Sequence, residues 1–278
     1  MLLAAIGVGV LSFDALLVRL ADADASVIAF YRGLFMGVIM LFVWIIKGEK
    51  DVIPKAKKDI FMILLIALIS GVGTSLFVFS VKYTVAANTV VFLATSSFFG
   101  ALFSYMILKE KIQKATAIAI AVSFSGVVII FGNSVSVGGN LFGDLLGILL
   151  AVFMGLQLTL LRKFTTFSHY FIISASGFFL MIIMYFIADN VFDVSSQTIF
   201  WLFLMGAMQV TAMFLIYGAT KYISSAEVGI FSTIETTLAP IWLWIFIGEI
   251  SPKMTLLGGL FVVSAIFINA YPQLKKRS

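Results

Sequence analysis

The chain has 278 residues, 62% of them apolar and 11% charged, with a formal net charge of +5. No soluble domain can hide that much apolar surface, so hydrocarbon must be the solvent for much of it. Cysteine is absent, which excludes disulfides, thiolate nucleophiles and cysteine-held metals.

Turn and charge clusters divide the sequence into apolar runs of membrane length. The spacing predicts helices over about 2–20, 27–46, 60–81, 87–108, 114–132, 143–162, 170–188, 198–220, 226–248 and 254–271. Only Lys82-Tyr83-Thr84 separates the third run from the fourth. The expected fold is an all-α membrane protein with ten transmembrane helices. A secretory signal is the competing reading of the first 25 residues, since Ala21-Asp22-Ala23 mimics a cleavage site. The missing basic n-region and Asp14 inside the apolar run argue against it.

A repeat runs through this series. Lys82-Tyr83 opens a stretch that closes at Glu110, and Lys221-Tyr222 opens one of equal length that closes at Glu249, at an offset of 139 residues. Five predicted helices per half is an odd number, so the second half is expected to be inverted in the membrane. The expected organisation is a first repeat over 1–132, a linker over 133–142, a second repeat over 143–272 and a basic tail. Fourteen of the 18 Lys and Arg residues follow the even-numbered helices. By the positive-inside rule, both termini then lie in the cytoplasm.

Polar groups inside hydrocarbon are costly and mark candidate functional residues. Glu235 ranks first, about nine residues into the ninth helix and near the bilayer midplane. A carboxyl there that gains and loses a proton as its exposure changes would meet the requirement of proton coupling. Asp14 and Arg32 lie at equal depth on adjacent helices and are expected to pair, as a structural staple or a gate. Gln157 is the inverted counterpart of Asp14, as Ser96 is of Glu235, and Gln209 lies mid-helix. These amides offer donors and acceptors to a substrate, or hold helices together. Trp242, two turns beyond Glu235 and just after Pro240, would wall an aromatic pocket or anchor at the interface. Tyr83 and Tyr217 are softer candidates. Asn88 and Glu227 are repeat equivalents at helix starts, where capping is the simpler reading. Lys82 and Lys221 end the preceding helices, with gating as the alternative to a dipole role. Glu110 and Glu249 mark helix ends. Gly33-xxx-Gly37 and Gly143-xxx-Gly147 are small-residue helix contacts. The lone histidine, His169, falls at a helix start and cannot build a histidine-rich metal site.

Several of these segments resemble the drug/metabolite transporter superfamily in its ten-helix, EamA-type form. They are Ala29-Phe30-Tyr31-Arg32-Gly33, Leu108-Lys109-Glu110-Lys111-Ile112, Gly126, and the run from Ile234-Glu235-Thr236-Thr237-Leu238-Ala239-Pro240-Ile241-Trp242 to Ile247-Gly248-Glu249-Ile250. The resemblance spans the chain in both halves. It departs at Ser97 and Thr236, where many members carry proline, and at Ala265, the repeat counterpart of Gly126. It implies a carrier of small metabolites in a prokaryotic plasma membrane, with many members looking like exporters of amino acids or related compounds. It also implies a site between spans one, three, four, six, eight and nine, with spans five and ten peripheral. Inverted repeats suit alternating access around a midplane site. The expected partners are a small-molecule substrate, the lipid bilayer and protons as the candidate coupling ion, with no cofactor and no nucleic acid. The chain is expected to act as a monomer or at most a weak homodimer. A nucleotide-sugar or organic-anion carrier is the runner-up and would need several cations lining the cavity, whereas only Arg32 lies clearly within a span. A passive scaffold gains little from Glu235, Gln209 and Gln157. An enzyme lacks its constellation here, with no HExxH pair, second histidine or phosphate-binding glycine loop.

Overall fold

A computed structural model describes the backbone of residues 2–47, 56–136, 140–164, 166–220 and 225–275, and the side chains of 5–46, 56–136, 140–164, 166–215 and 233–271. Among the described residues the regular structure is entirely helical. In chain order the helices are α1 (Leu2–Leu11), α2 (Asp14–Leu20), α3 (Ala25–Lys47), α4 (Lys57–Tyr83), α5 (Ala86–Ala94) and α6 (Ser96–Phe103). A π-turn, Ser104–Leu108, follows. Then come α7 (Lys114–Ser136), α8 (Leu141–Lys163), α9 (His169–Ile187), α10 (Ser196–Thr220), α11 (Ser225–Ile247) and α12 (Lys253–Lys275). Eight of the described helical segments are long and apolar enough to cross a membrane, and Thr233–Ile247 forms a shorter apolar helix.

Two expected helices are interrupted. The run 2–20 breaks at Ser12-Phe13, and the run 87–108 breaks at Thr95. Neither break contains proline. In each, a hydroxyl bonds back to a carbonyl three residues earlier, Ser12 Oγ to Gly9 at 2.6 Å and Thr95 Oγ1 to Phe92 at 2.7 Å. Ser75 and Ser176 make the same backward bond inside the unbroken helices α4 and α9, so the hydroxyls accompany the two breaks and do not by themselves cause them. The hydroxyl pair Thr95 and Ser97 thus sits where the resemblance led one to expect a proline kink.

Exchanging the two halves maps the helix packing onto itself. The α3–α9 and α7–α12 contacts are each self-equivalent, α4–α8 corresponds to α10–α1, and α4–α9 corresponds to α10–α3. Glycines make the central crossings close. A Cβ on Gly33 would lie 2.6 Å from the Gly177 carbonyl, and one on Gly177 would lie 2.6 Å from the Gly33 carbonyl. Gly126 and Gly258 repeat this reciprocity between α7 and α12, at 2.6 and 2.7 Å. Small residues let helix backbones touch and recover dispersion energy that side chains would block. Gly143 and Gly147 likewise pack inside the chain, against Thr84 and Phe92. The α7–α12 pair sits at the margin, since only 22% of the apolar stretch of α7 is buried, against 50% for α4 and α8.

The helix ends at the two repeat glutamates are also alike. Lys109 and Gly248 both adopt left-handed backbone, at φ 60° and 69°. The Glu110 N–H then reaches the Ser104 carbonyl at 3.3 Å, and the Glu249 N–H reaches Leu243 at 3.2 Å. A left-handed residue just past a helix lets following N–H groups satisfy orphaned carbonyls. Here it also throws each glutamate back across its helix end.

Candidate substrate site in the bundle core

The break at Ser12-Phe13 makes Asp14 the first residue of α2, where the helix dipole favours an anion. Arg32, about two turns into α3, meets it with two N–H···O bonds of 2.9 and 2.8 Å. Arg32 is only 3% exposed, and it also donates to Gln209 Oε1 at 3.1 Å. The Phe77 ring of α4 lies under the guanidinium at 5.3 Å, and Met205 Sδ is 3.8 Å away. Of the guanidinium nitrogens, Nε is buried without a hydrogen-bond partner among the described residues. Four helices, α2, α3, α4 and α10, therefore meet on one cation. A buried fork-to-fork pair is geometrically exacting, and removing one partner strands a charge in the core.

Glu235 projects from α11 toward this cluster, close enough to Asp14 and Arg32 for both charges to act on it. It is partly buried and makes no hydrogen bond or ion pair with any described residue. Two turns further on, Trp242 donates its indole N–H to Ser12 Oγ at 2.9 Å and stacks on Phe13 at 4.7 Å. The helix break of the first half is thus clamped by the segment that follows Pro240 in the second. Trp242 is partly buried and packs against the main core cluster.

The other sequence candidates disperse. Gln157 donates to Ser70 Oγ at 2.9 Å, joining α8 to α4. Ser96 opens α6 beside the Thr95 break, and its carbonyl lies 2.8 Å from where a Cβ on Gly155 would sit. Tyr83 is 42% exposed at the end of α4, against Phe79 and Phe142, and so lies at the rim. Lys82 stands beside it, half-buried. Asn88 does not cap α5: the residue before the helix is Val85, and no side chain caps it. Asn88 instead donates to Asp144 Oδ1 at 3.0 Å and accepts from Thr255 Oγ1 at 2.6 Å. The side chains of Tyr217, Lys221 and Glu227 lie outside the described residues.

Sequence reasoning passed over Asp144, Arg19 and Glu249 as functional groups. Asp144 falls at the start of the helix expected over 143–162, and the structure buries it fully in the first turn of α8. Asn140, Leu141 and Phe142 at the same helix start are exposed, so only the face carrying Gly143 and Asp144 turns inward.

A polytopic helical bundle, two-fold in its packing, with an ion pair and a further acid in its core, has the form of a membrane carrier. The comparisons agree. The sequence matches the EamA-like transporter family over residues 1–132 and 141–271, and the chain belongs to that family. An uncharacterized transporter of Clostridium kluyveri is 27% identical over 256 residues, covering 83% of this chain and 82% of its own. The uncharacterized transporter YetK of Bacillus subtilis is 26% identical over 255 residues, covering 83% and 76%. A solved crystal structure with 13% identity superposes at a TM-score of 0.68, covering 100% of this chain and 98% of its own, a likeness of fold. The protein is a multi-pass membrane transporter of the drug/metabolite transporter superfamily.

Proposed function

We propose that the protein is a ten-span secondary transporter that exports small amphiphilic metabolites, amino acids or close relatives, by alternating access. In this reading residues 1–132 and 143–272 are the two inverted halves, and both termini face the cytoplasm. The substrate binds between the halves, beside Asp14, Arg32, Gln209, Glu235 and Trp242. The observation that carries this is the unequal use of charge in the core. Asp14 and Gln209 take up both terminal nitrogens of Arg32, while Glu235 keeps its carboxyl free of described partners. A site with one occupied cation and one available acid suits a substrate ammonium or a proton. It suits a phosphate or nucleotide-sugar poorly, because such anions need unpaired cations in the cavity. The Phe13–Trp242 stack and Phe77 add apolar walls of the kind that hold an amphiphile.

Glu235 serves in this reading as the coupling or amine-binding acid. Its carboxyl would alternate between substrate, proton and water as the halves rock. Purified protein in liposomes loaded with a mixed metabolite pool tests this directly. Solute efflux is expected from the parent and at most a few per cent of it from Glu235→Gln. Unchanged flux in that variant removes Glu235 from the mechanism, and absence of flux across broad pools defeats the transport reading. A toxicity screen in cells overexpressing the chain then names the compound class, since an exporter rescues growth.

A further inference from the structure

At one end of the bundle, polar groups from six helices are tied into a single network. Glu249, just past α11, pairs with Arg19 Nε of α2 at 3.0 Å. Its other oxygen accepts the N–H of Ala86, the first residue of α5, at 2.8 Å. Arg19 donates in turn to the Thr84 carbonyl past α4, at 2.7 Å. The Thr84 hydroxyl donates to Asp144 of α8 at 2.6 Å, and Asp144 accepts from Asn88 of α5, which accepts from Thr255 of α12. Both halves contribute, α2, α4 and α5 from the first and α8, α11 and α12 from the second.

We infer that this network is a gate that closes one mouth of the transport pathway, with Glu249, Arg19 and Asp144 as its working groups. The inference rests on the alternating-access reading above. Three features support a gate over a mere helix tie. All of these bonds except Arg19 to Thr84 join the two halves, so rocking one against the other must break them. The Glu249 carboxylate sits at the positive N-terminal end of α5, an interaction that exists only while α5 and α11 are together at this mouth. The third is Asp144, whose Oδ2 is buried with no hydrogen-bond partner among the described residues while Oδ1 carries two. A bare carboxyl oxygen in the interior is a cost of the closed arrangement, and hydration on opening removes it. An oxygen left unbonded in the closed arrangement makes opening less costly than it would be for a fully bonded tie.

The opposite end carries the repeat equivalent in looser form. Arg162, ending α8, pairs with Glu110 at 2.9 Å, but these side chains are 53% and 47% exposed, against 25% and 21% for Arg19 and Glu249. The chain contains no cysteine, so a single introduced thiol reports access without background. Ala239 is buried on α11, one turn beyond Glu235 in the direction of Glu249. In Ala239→Cys, a membrane-impermeant maleimide applied from the side that the Arg19 end faces should react slowly. Adding Glu249→Gln or Asp144→Asn should raise that rate about tenfold, the factor that loss of one charge-assisted bond represents. The rate from the other side should stay unchanged, and Glu110→Gln should not raise the rate from the Arg19 side. Equal increases from both sides would mean general loosening and would overturn the gate, as would no increase in variants that elute as folded monodisperse protein. No substrate enters this assay, so its failure is distinguishable from failure of the flux measurements.

Discussion

Glu249 and Glu110 occupy equivalent places after equivalent helix ends, and each is thrown by a left-handed residue toward an arginine that ends the first helix of a half. Their surroundings differ. Glu249 is partly buried and bonded to a helix N-terminus of the other half, whereas Glu110 stands in the open with Arg162. The same divergence runs through the core, where Asp14 on one side answers to Gln157 on the other. Duplication supplied two copies of one scaffold. Function is written in the places where the copies stopped matching, because a symmetric backbone carrying symmetric charges would have no preferred end.

The core pair gives the largest test of that contrast. Asp14→Ala should destabilise the protein by about 3–5 kcal/mol, since it leaves Arg32 buried with its charge uncompensated. Its counterpart Gln157→Ala should cost about 1–2 kcal/mol, as it removes a neutral bond to Ser70 and a partly packed amide. Thermal unfolding in detergent compares them, and similar losses would remove the asymmetry. The double variant Asp14→Asn with Arg32→Gln should recover much of the stability while abolishing transport, because a neutral pair carries no stranded charge. Next in size are the helix-end acids. Glu249→Gln should cost roughly 1–2 kcal/mol, discounted for its partial exposure. Glu110→Gln should fall within about 0–1 kcal/mol and vanish in high salt, where an exposed pair is screened. Equal and salt-insensitive losses at both ends would sink the distinction between them.

Much of this architecture can be read from residue order. Apolar runs need about twenty residues to cross hydrocarbon, so the helices announce themselves, and the Lys-Tyr to Glu repeat exposes the two-fold. Equal depth along neighbouring helices was enough to bring Asp14 to Arg32. What composition and spacing cannot show is which face a residue takes once a helix bends. The breaks at Ser12-Phe13 and Thr95 fall at hydroxyl residues, but Ser75 and Ser176 make the same backward bonds in unbroken helices, so nothing in an apolar run of the right length marks them. The first break sets Asp14 at a helix start and brings Ser12 under Trp242. Asp144 and Asn88 mislead for a related reason. Both resemble surface residues of a helix start, because helix starts are usually wet, and here the start of α5 is buried against the Gly143–Asp144 face of α8.

The smallest effect concerns the residues that aim the two glutamates. The backbone at Gly248 and Lys109 is left-handed in both halves, but only glycine adopts it freely. Lys109 pays a steric penalty of about 1 kcal/mol for a Cβ in that conformation. Lys109→Gly should therefore stabilise the protein by up to about 1 kcal/mol, less the extra backbone freedom gained by the unfolded chain. Gly248→Lys should cost a similar amount, and more if Glu249 is pulled away from Ala86 and Arg19. Unfolding midpoints of the two variants measure the backbone term, while maleimide access from the Arg19 side measures the aim of Glu249. If Gly248→Lys lowers the midpoint without raising access, the left-handed residue is only a helix stop. If access rises with the loss of stability, backbone geometry at residue 248 is part of what holds the mouth shut.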